Sequence, residues 1–203
     1  MENRRAVEMD VLREIGSIGA GNATTSLSVL LKTKLSMEIP QVNYLEMGEL
    51  VSLIGGPDKL IINVKSNITG DILGSVLFIM EQKSAKHLLK KLMQNEPEEA
   101  EEIQGIGLSV VQEIANIVIS TYLASLESFT GLKTRPGTPE MCVDMAGAVL
   151  STSAFGVVED IEGSVMMIGS EFVANEIDMK GYVVLVANQD AYDVLFQKLN
   201  ISL

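Results

Sequence analysis

Residues 10–19, DVLREIGSIG, and residues 109–118, SVVQEIANIV, are two copies of one pattern, 99 positions apart. Each copy places a small polar residue, Asp10 or Ser109, four positions before a glutamate, Glu14 or Glu113. A proline follows each glutamate at the same distance (Pro40 and Pro139), and the shared register continues through Val11/Val110, Ile15/Ile114, Ile18/Ile117, Ser26/Ser125, Leu27/Leu126 and Lys34/Lys133. Such an extended match at one offset indicates an internal duplication.

The composition is that of a folded globular protein, with 203 residues of which 47% are hydrophobic and 21% are charged. A repeat of about 100 residues predicts one domain made of two pseudo-symmetric halves, 1–100 and 101–203, around a shared core. The acidic run 96–102 is predicted to link the halves. Apolar runs such as 74–80 are far shorter than the roughly 20 residues that span a bilayer, and the charged N-terminus carries no apolar signal core. We therefore expect a cytoplasmic protein without membrane insertion.

Charge and the reactive side chains exclude several classes of function. Fifteen basic and 27 acidic residues give a net charge of −12, which opposes binding to nucleic acid or anionic lipid. The single cysteine, Cys142, cannot form an internal disulfide, no metal site is expected, and a small buried apolar role is predicted for it. The single histidine, His87, lies in a lysine-rich amphipathic stretch and is predicted to be a helix-surface residue. A triad hydrolase is therefore not expected.

Hydrophobic periodicity predicts a long helix over residues 4–32, although it contains Gly16, Gly19 and Gly21. Each glycine costs up to about 1 kcal/mol relative to alanine within a helix, so we expect another backbone element to approach this face closely. The remaining predicted elements are strands 38–45, 60–65 and 71–80 and helix 83–94, then helix 106–129, strands 163–172 and 176–187 and helix 190–199. Residues 181–199 repeat residues 74–92 at an offset of 107, which implies an insertion of about eight residues between Pro139 and Gly181.

On a helix that turns about 100° per residue, Ser109, Glu113 and Asn116 fall within a sector of about 60°. Their counterparts Asp10, Glu14 and Ser17 do the same, so each long helix carries a short polar stripe. One such stripe is usually a solvated helix face, but two copies with a proline at the same distance favour a site. The glycine cluster of the first helix has the spacing Gly-x-x-Gly-x-Gly, which is neither the dinucleotide fingerprint nor a Walker loop.

The complete pattern, Asp or Ser, then Glu, Asn and a distant Pro, resembles the signature of the CheC/CheX/FliY phosphatases. The second copy fits at every position, and the first departs only at Ser17, which stands where Asn is expected. Across essentially the whole chain, the resemblance implies an α/β (α+β) fold, internally duplicated, with a mainly antiparallel central sheet and two long motif-bearing helices on one face. It also implies a hydrolase that removes the aspartyl phosphate of a CheY-type response regulator.

The same resemblance implies a role for each motif residue. Glu113 would pair with the phosphate-site lysine of the regulator, and Asn116 would orient the attacking water, with Ser109 and Pro139 as supports. A serine hydroxyl offers one polar atom at shorter reach than an asparagine amide, so the first site is expected to be weak or inactive. That degenerate site comprises Asp10, Glu14, Ser17 and Pro40. No cofactor of its own is expected, because the phosphorylated regulator would carry the Mg²⁺.

Residues 143–148 resemble the CheC stretch that docks CheD, a receptor-modifying deamidase, with Asp144 as the contact. A short amphipathic helix capped by Asp144 is an equal alternative. Two further functions stay open: an adaptor of weak catalytic activity that binds CheD or phosphorylated CheY, and a structural module like the middle domain of FliM. The complete second motif argues against the module. Since the duplication already supplies the symmetry of a dimer, a monomer is expected.

Overall fold

The computed structural model describes residues 2–37, 41–45, 51–52, 54–93, 103–155, 165–187 and 189–199. The helices are α1 (Glu2–Leu31), α2 (Gln82–Met93), α3 (Ile106–Thr130), α4 (Ala146–Phe155) and α5 (Gln189–Lys198), with a 3₁₀ helix at Asn175–Ile177. The strands are β1 (Ser36–Met37), β2 (Gln41–Leu45), β3 (Leu60–Gly70), β4 (Gly74–Glu81), β5 (Thr134–Pro136), β6 (Glu140–Met145), β7 (Val165–Ala174) and β8 (Met179–Ala187).

The eight strands form one sheet in which each described pairing is antiparallel. Its order is β1-β7-β8-β4-β3-β5, while β2 pairs with β7 and β6 pairs with β3. This confirms the mainly antiparallel sheet that the family resemblance implies. Because β3 and β4 are consecutive and antiparallel, as are β7 and β8, each half of the chain contributes a local pair of strands to the centre of the sheet.

The register between β4 and β8 is itself symmetric. Gly74 faces Ala187 and Met80 faces Gly181, while Leu77 faces Val184 at the midpoint. At the sequence offset of 107, Leu77 is equivalent to Val184, Gly74 to Gly181 and Met80 to Ala187. The pair Gly74–Ala187 is therefore equivalent to the pair Gly181–Met80. A local two-fold axis therefore passes between Leu77 and Val184.

Helices cover both faces of the sheet. One face packs against α1, α2, α3 and α5, in a core that includes Leu12, Val111 and Ile62. The neighbouring residue of β3, Ile61, points to the opposite face and packs with Ala146 and Leu150 of α4, as strand alternation requires. The two motif-bearing helices thus lie on one face, as predicted.

The apolar composition of α3 is explained by this packing. By length and hydropathy alone the helix would be able to cross a membrane. Its buried residues are Val111, Ile114, Ala115, Val118, Ile119, Tyr122, Leu123, Ser125, Leu126 and Thr130. They meet α1 on one side and the sheet on the other, so most of the apolar stripe is used in the core.

Gly19 allows α1 and α3 to come close. A Cβ atom built on Gly19 would lie 2.8 Å from Cε2 of Tyr122, whose ring is fully buried. Next to this contact, the side-chain amide of Asn22 donates a hydrogen bond to the Ser125 hydroxyl at 3.0 Å. The predicted close approach is therefore present at Gly19, although the partner is an aromatic ring and not backbone. Around Gly21 there is open space.

We predict opposite effects of alanine at these two glycines. Gly19→Ala gains up to about 1 kcal/mol of helix propensity, but it forces a methyl group into the Tyr122 ring at a cost of about 1–3 kcal/mol. We expect a net loss of about 1 kcal/mol in the free energy of unfolding. The matched variant Gly21→Ala gains the same helix propensity without a steric clash, so its free energy of unfolding should rise. Denaturant unfolding of both variants checks this, and an equal response of the two would contradict it.

Several predictions about local structure need correction. The strand predicted at 60–65 continues to Gly70 as β3. Cys142 is exposed, because β6 pairs with β3 and its outer positions are not covered by another described element. Strand β4 begins at Gly74 and not at residue 71, since Asp71 turns away to accept the backbone N–H of Lys133 at 3.0 Å. Strand β8 begins at Met179, because a 3₁₀ turn and the left-handed backbone of Asp178 (φ 46°) precede it. The predicted linker 96–102 lies outside the described residues.

Candidate active site

The second motif forms a polar stripe on the first half of α3. Ser109 and Glu113 are exposed and Asn116 is half-buried, whereas Ile114 and Ala115 between them face the core. Glu113 and Asn116 are one helical turn apart, so their side chains are neighbours on the same face. The Ser109 hydroxyl points back along the helix to the carbonyl oxygen of Gly105, at 3.5 Å. Both predicted catalytic side chains are therefore accessible to a partner.

Pro139 lies against this helix although it is 23 residues beyond Asn116. The side-chain amide of Gln112 donates a hydrogen bond to the Pro139 carbonyl oxygen at 3.3 Å. Strand β6 starts at the next residue, Glu140, so the bond ties the beginning of an edge strand to the motif helix. Sequence reasoning did not single out Gln112; its place four residues before Asn116, on the same flank of the helix, was the available signal.

The first motif is organised differently. Asp10 and Glu14 are exposed and Ser17 is half-buried, which matches the second motif position by position. Arg13, the residue before the glutamate, forms an ion pair with Asp10, with 2.8 Å between Nη1 and Oδ1. Pro40 lies outside the described residues.

Asp144 occupies the junction between β6 and α4. Its carboxylate accepts a hydrogen bond from the backbone N–H of Met145 at 2.7 Å, one residue before the helix begins at Ala146. The capping alternative is therefore wrong in detail, because Asp144 belongs to the strand and bonds to an N–H outside the helix. Asp144 is exposed between Val143 and Met145, of which 37% and 50% remain accessible.

The other titratable side chains that the structure describes do not form a competing site. His87 is on α2, as predicted, and its Nδ1 lies 2.8 Å from the carbonyl oxygen of Asp178. Lys83 hydrogen-bonds the Asp178 carboxylate at 2.7 Å and lowers the pKa of that group. Burial raises the pKa of Tyr122 far above its usual value, so this hydroxyl is not an acid–base group at neutral pH. Within the described ranges, no group of three or more His, Cys, Asp or Glu side chains is placed to hold a metal ion.

A pocket of about 920 Å³ lies elsewhere, between the end of α1, α2 and the 3₁₀ helix. It is lined by Leu30, Leu31, Lys32, His87, Lys90, Lys91, Leu92, Asn175, Glu176, Ile177 and Asp178. None of the motif residues is among them. Because Ser109 and Glu113 are exposed on α3, the candidate active site is a helix face, which suits a macromolecular substrate better than a small molecule held in a cavity.

Comparisons with known proteins agree with this picture. Residues 61–159, which contain the second motif, match the family described as Chemotaxis phosphatase CheX, and residues 7–44, which contain the first, match the CheC-like family. The crystal structure of Thermotoga maritima FliY shares the fold, with a TM-score of 0.73 over 96% of this chain and 97% of that one at 20% identity. The flagellar motor switch phosphatase FliY of Bacillus subtilis is 28% identical over 60% of this chain and 32% of its own length.

The chain belongs to the CheC/CheX/FliY family of chemotaxis phosphatases. Within that family its similarity to the CheY-P phosphatase CheC of Bacillus subtilis extends over nearly the whole of both chains: 31% identity over 199 residues, which are 97% of this chain and 95% of CheC. The protein is therefore an enzyme, a phosphatase of bacterial chemotaxis.

Proposed function

We propose that the protein hydrolyses the aspartyl phosphate of a phosphorylated CheY-type response regulator, mainly at its second motif. The observation that carries the proposal is the accessible pair Glu113 and Asn116 on one face of α3. An exposed stripe on a rigid helix can enter the active site of another protein. Full-length similarity to a CheY-P phosphatase supports the choice of substrate.

In this mechanism the regulator supplies most of the chemistry. Its own active site would carry Mg²⁺ and the lysine that holds the phosphoryl group, so the phosphatase needs no cofactor of its own. An acyl phosphate is intrinsically reactive, and its hydrolysis is limited by the placement of one water molecule in line with phosphorus. The carboxamide of Asn116 offers an acceptor and a donor to that water, and Glu113 pairs with the regulator's lysine to fix the docking.

The remaining motif residues support or duplicate this site. Ser109 lies one turn before Glu113, and Pro139 is tied to the helix through Gln112. At the first site, Ser17 replaces the water-positioning amide, so this site contributes little turnover. We further propose that the enzyme acts as a cytoplasmic monomer, because the internal duplication brings both motif helices into one chain.

A second candidate function is that of an adaptor with weak activity that binds CheD or the phosphorylated regulator. The observation that favours it is the exposed Asp144 between two exposed apolar residues, Val143 and Met145, at the end of an edge strand. Such a surface suits a protein partner. Asp144→Ala should then weaken binding of CheD about tenfold in a titration, with phosphatase activity unchanged.

The direct test is the decay of the phosphorylated regulator with catalytic amounts of the protein. We expect acceleration with Mg²⁺ present and none after a chelator is added, while the unfolding midpoint of the phosphatase itself is unaffected by the chelator. A shift of that midpoint would instead reveal a metal bound to the phosphatase. Binding of the regulator without acceleration would favour the adaptor.

A further inference from the structure

The residue directly before each motif glutamate forms a different contact in the two halves. In the second half, Gln112 donates to the carbonyl oxygen of Pro139 at 3.3 Å. Arg13 is its equivalent at the offset of 99, and it pairs with Asp10 at 2.8 Å. The two helices therefore differ at this position as well as at Ser17 and Asn116.

Helix geometry places Gln112 beside the proposed water-positioning residue. Gln112 and Asn116 are four residues apart, so their side chains are neighbours on one flank of the stripe, with Glu113 on the other flank. The hydrogen bond from Gln112 consequently holds the Pro139 backbone along the Asn116 side.

Arg13 changes the first stripe in two ways. It crosses the helix face to reach Asp10, which is three residues away and belongs to the stripe itself. Its guanidinium stays charged at every physiological pH, so a permanent ion pair stands in the first stripe where Ser109 and Gln112 are neutral in the second. A partner protein that docks on Glu14 and Ser17 would have to accommodate or break this ion pair.

We propose that Gln112 is a positioning residue of the second site and that Arg13, together with Ser17, keeps the first site inactive. This inference rests on the proposed phosphatase function and identifies a residue that affects the rate of dephosphorylation at each motif. Gln112 acts through Pro139 and the flank of Asn116, whereas Arg13 acts through the ion pair that it forms with Asp10 in the first stripe.

The first experiment compares Gln112→Met with Gln112→Arg, using the phosphorylated regulator as substrate. Methionine keeps the length of the side chain but cannot donate, so we expect kcat to fall about tenfold with KM unchanged, as for a slightly misplaced catalytic group. Arginine should in addition raise KM, and this increase should shrink at high salt. Gln197→Met, at an exposed position of α5, is the matched control and should behave as wild type.

The second experiment attempts to restore the first site in an Asn116→Ala background. We expect Ser17→Asn alone to remain within about threefold of that background, and Ser17→Asn with Arg13→Gln to exceed it by about tenfold. Full recovery with Ser17→Asn alone would show that Arg13 is not inhibitory. If Ser17→Asn with Arg13→Gln is no faster than the Asn116→Ala background, the inhibitory role of Arg13 is also refuted.

Failure of this inference can be separated from failure of the proposed function. If the wild-type protein does not accelerate decay of the phosphorylated regulator, the proposed function fails. If the wild type is active and Gln112→Met retains its kcat, only the positioning role is refuted. Unfolding midpoints of all variants should stay close to wild type, because none of the exchanged side chains belongs to the core and Gln112→Met removes a single hydrogen bond.

Discussion

Asn116→Ala is expected to lower the rate of phosphate release by roughly 10²- to 10³-fold. Removal of a well-placed polar group from a catalytic site typically costs about 3–4 kcal/mol of transition-state stabilisation. Alanine keeps the helix intact, and Asn116 is half-buried at the surface of α3, outside the core cluster. The loss should therefore appear in kcat, with little change in the unfolding midpoint. Single-turnover decay of the phosphorylated regulator measures it.

A substitution in the motif of the first half is the control for this prediction. Glu14→Ala alters a residue of the same type, exposure and helical position as Glu113. A serine hydroxyl offers one polar atom at shorter reach than the amide that the proposed mechanism requires at position 17. We therefore expect the rate of Glu14→Ala to stay within about twofold of wild type. Comparable losses in Asn116→Ala and Glu14→Ala would mean that both sites turn over, and the asymmetry would be refuted.

Most of the architecture could be predicted because the sequence carries it twice. The match at offset 99 identified α1 and α3, and the match at offset 107 identified the segments that became β4 with α2 and β8 with α5. Buried residues at equivalent positions, such as Ile15 and Ile114, agree between the two helices. A repeated pattern reports on packing more reliably than a single pattern, since each copy is an independent sample of the same environment.

Features that depend on contacts between distant segments could not be predicted in this way. The exposure of Cys142 depends on the position of β6 outside β3, and its apolar neighbours gave no sign of an edge strand. The bond between Gln112 and Pro139 joins residues 27 positions apart. The place of Asp144 in a strand and not at a helix cap depends on the pairing of β6 with β3 as well. Composition and periodicity carry no information about which distant segments pair or form hydrogen bonds with each other.

Glu113 has the geometry of a docking residue. Its side chain is exposed on α3, one turn from Asn116, and no ion pair with a described residue engages it. A free carboxylate on a rigid helix can form a charge-assisted hydrogen bond with the lysine of a regulator. In the proposed mechanism its charge acts on binding of the substrate, whereas the amide of Asn116 acts on the chemical step.

Glu113→Gln should therefore raise KM by roughly 10- to 100-fold and leave kcat within about threefold of wild type. Glutamine keeps the shape and one acceptor oxygen but removes the charge, and a close charge pair across an interface contributes about 1.5 kcal/mol or more. The KM of wild type should rise with salt concentration, and that of the variant should rise less. Glu176→Gln, which removes an exposed charge on the 3₁₀ helix, controls for the change in net charge. If kcat falls while KM is constant, Glu113 takes part in the hydrolytic step, and the division of roles between Glu113 and Asn116 is wrong.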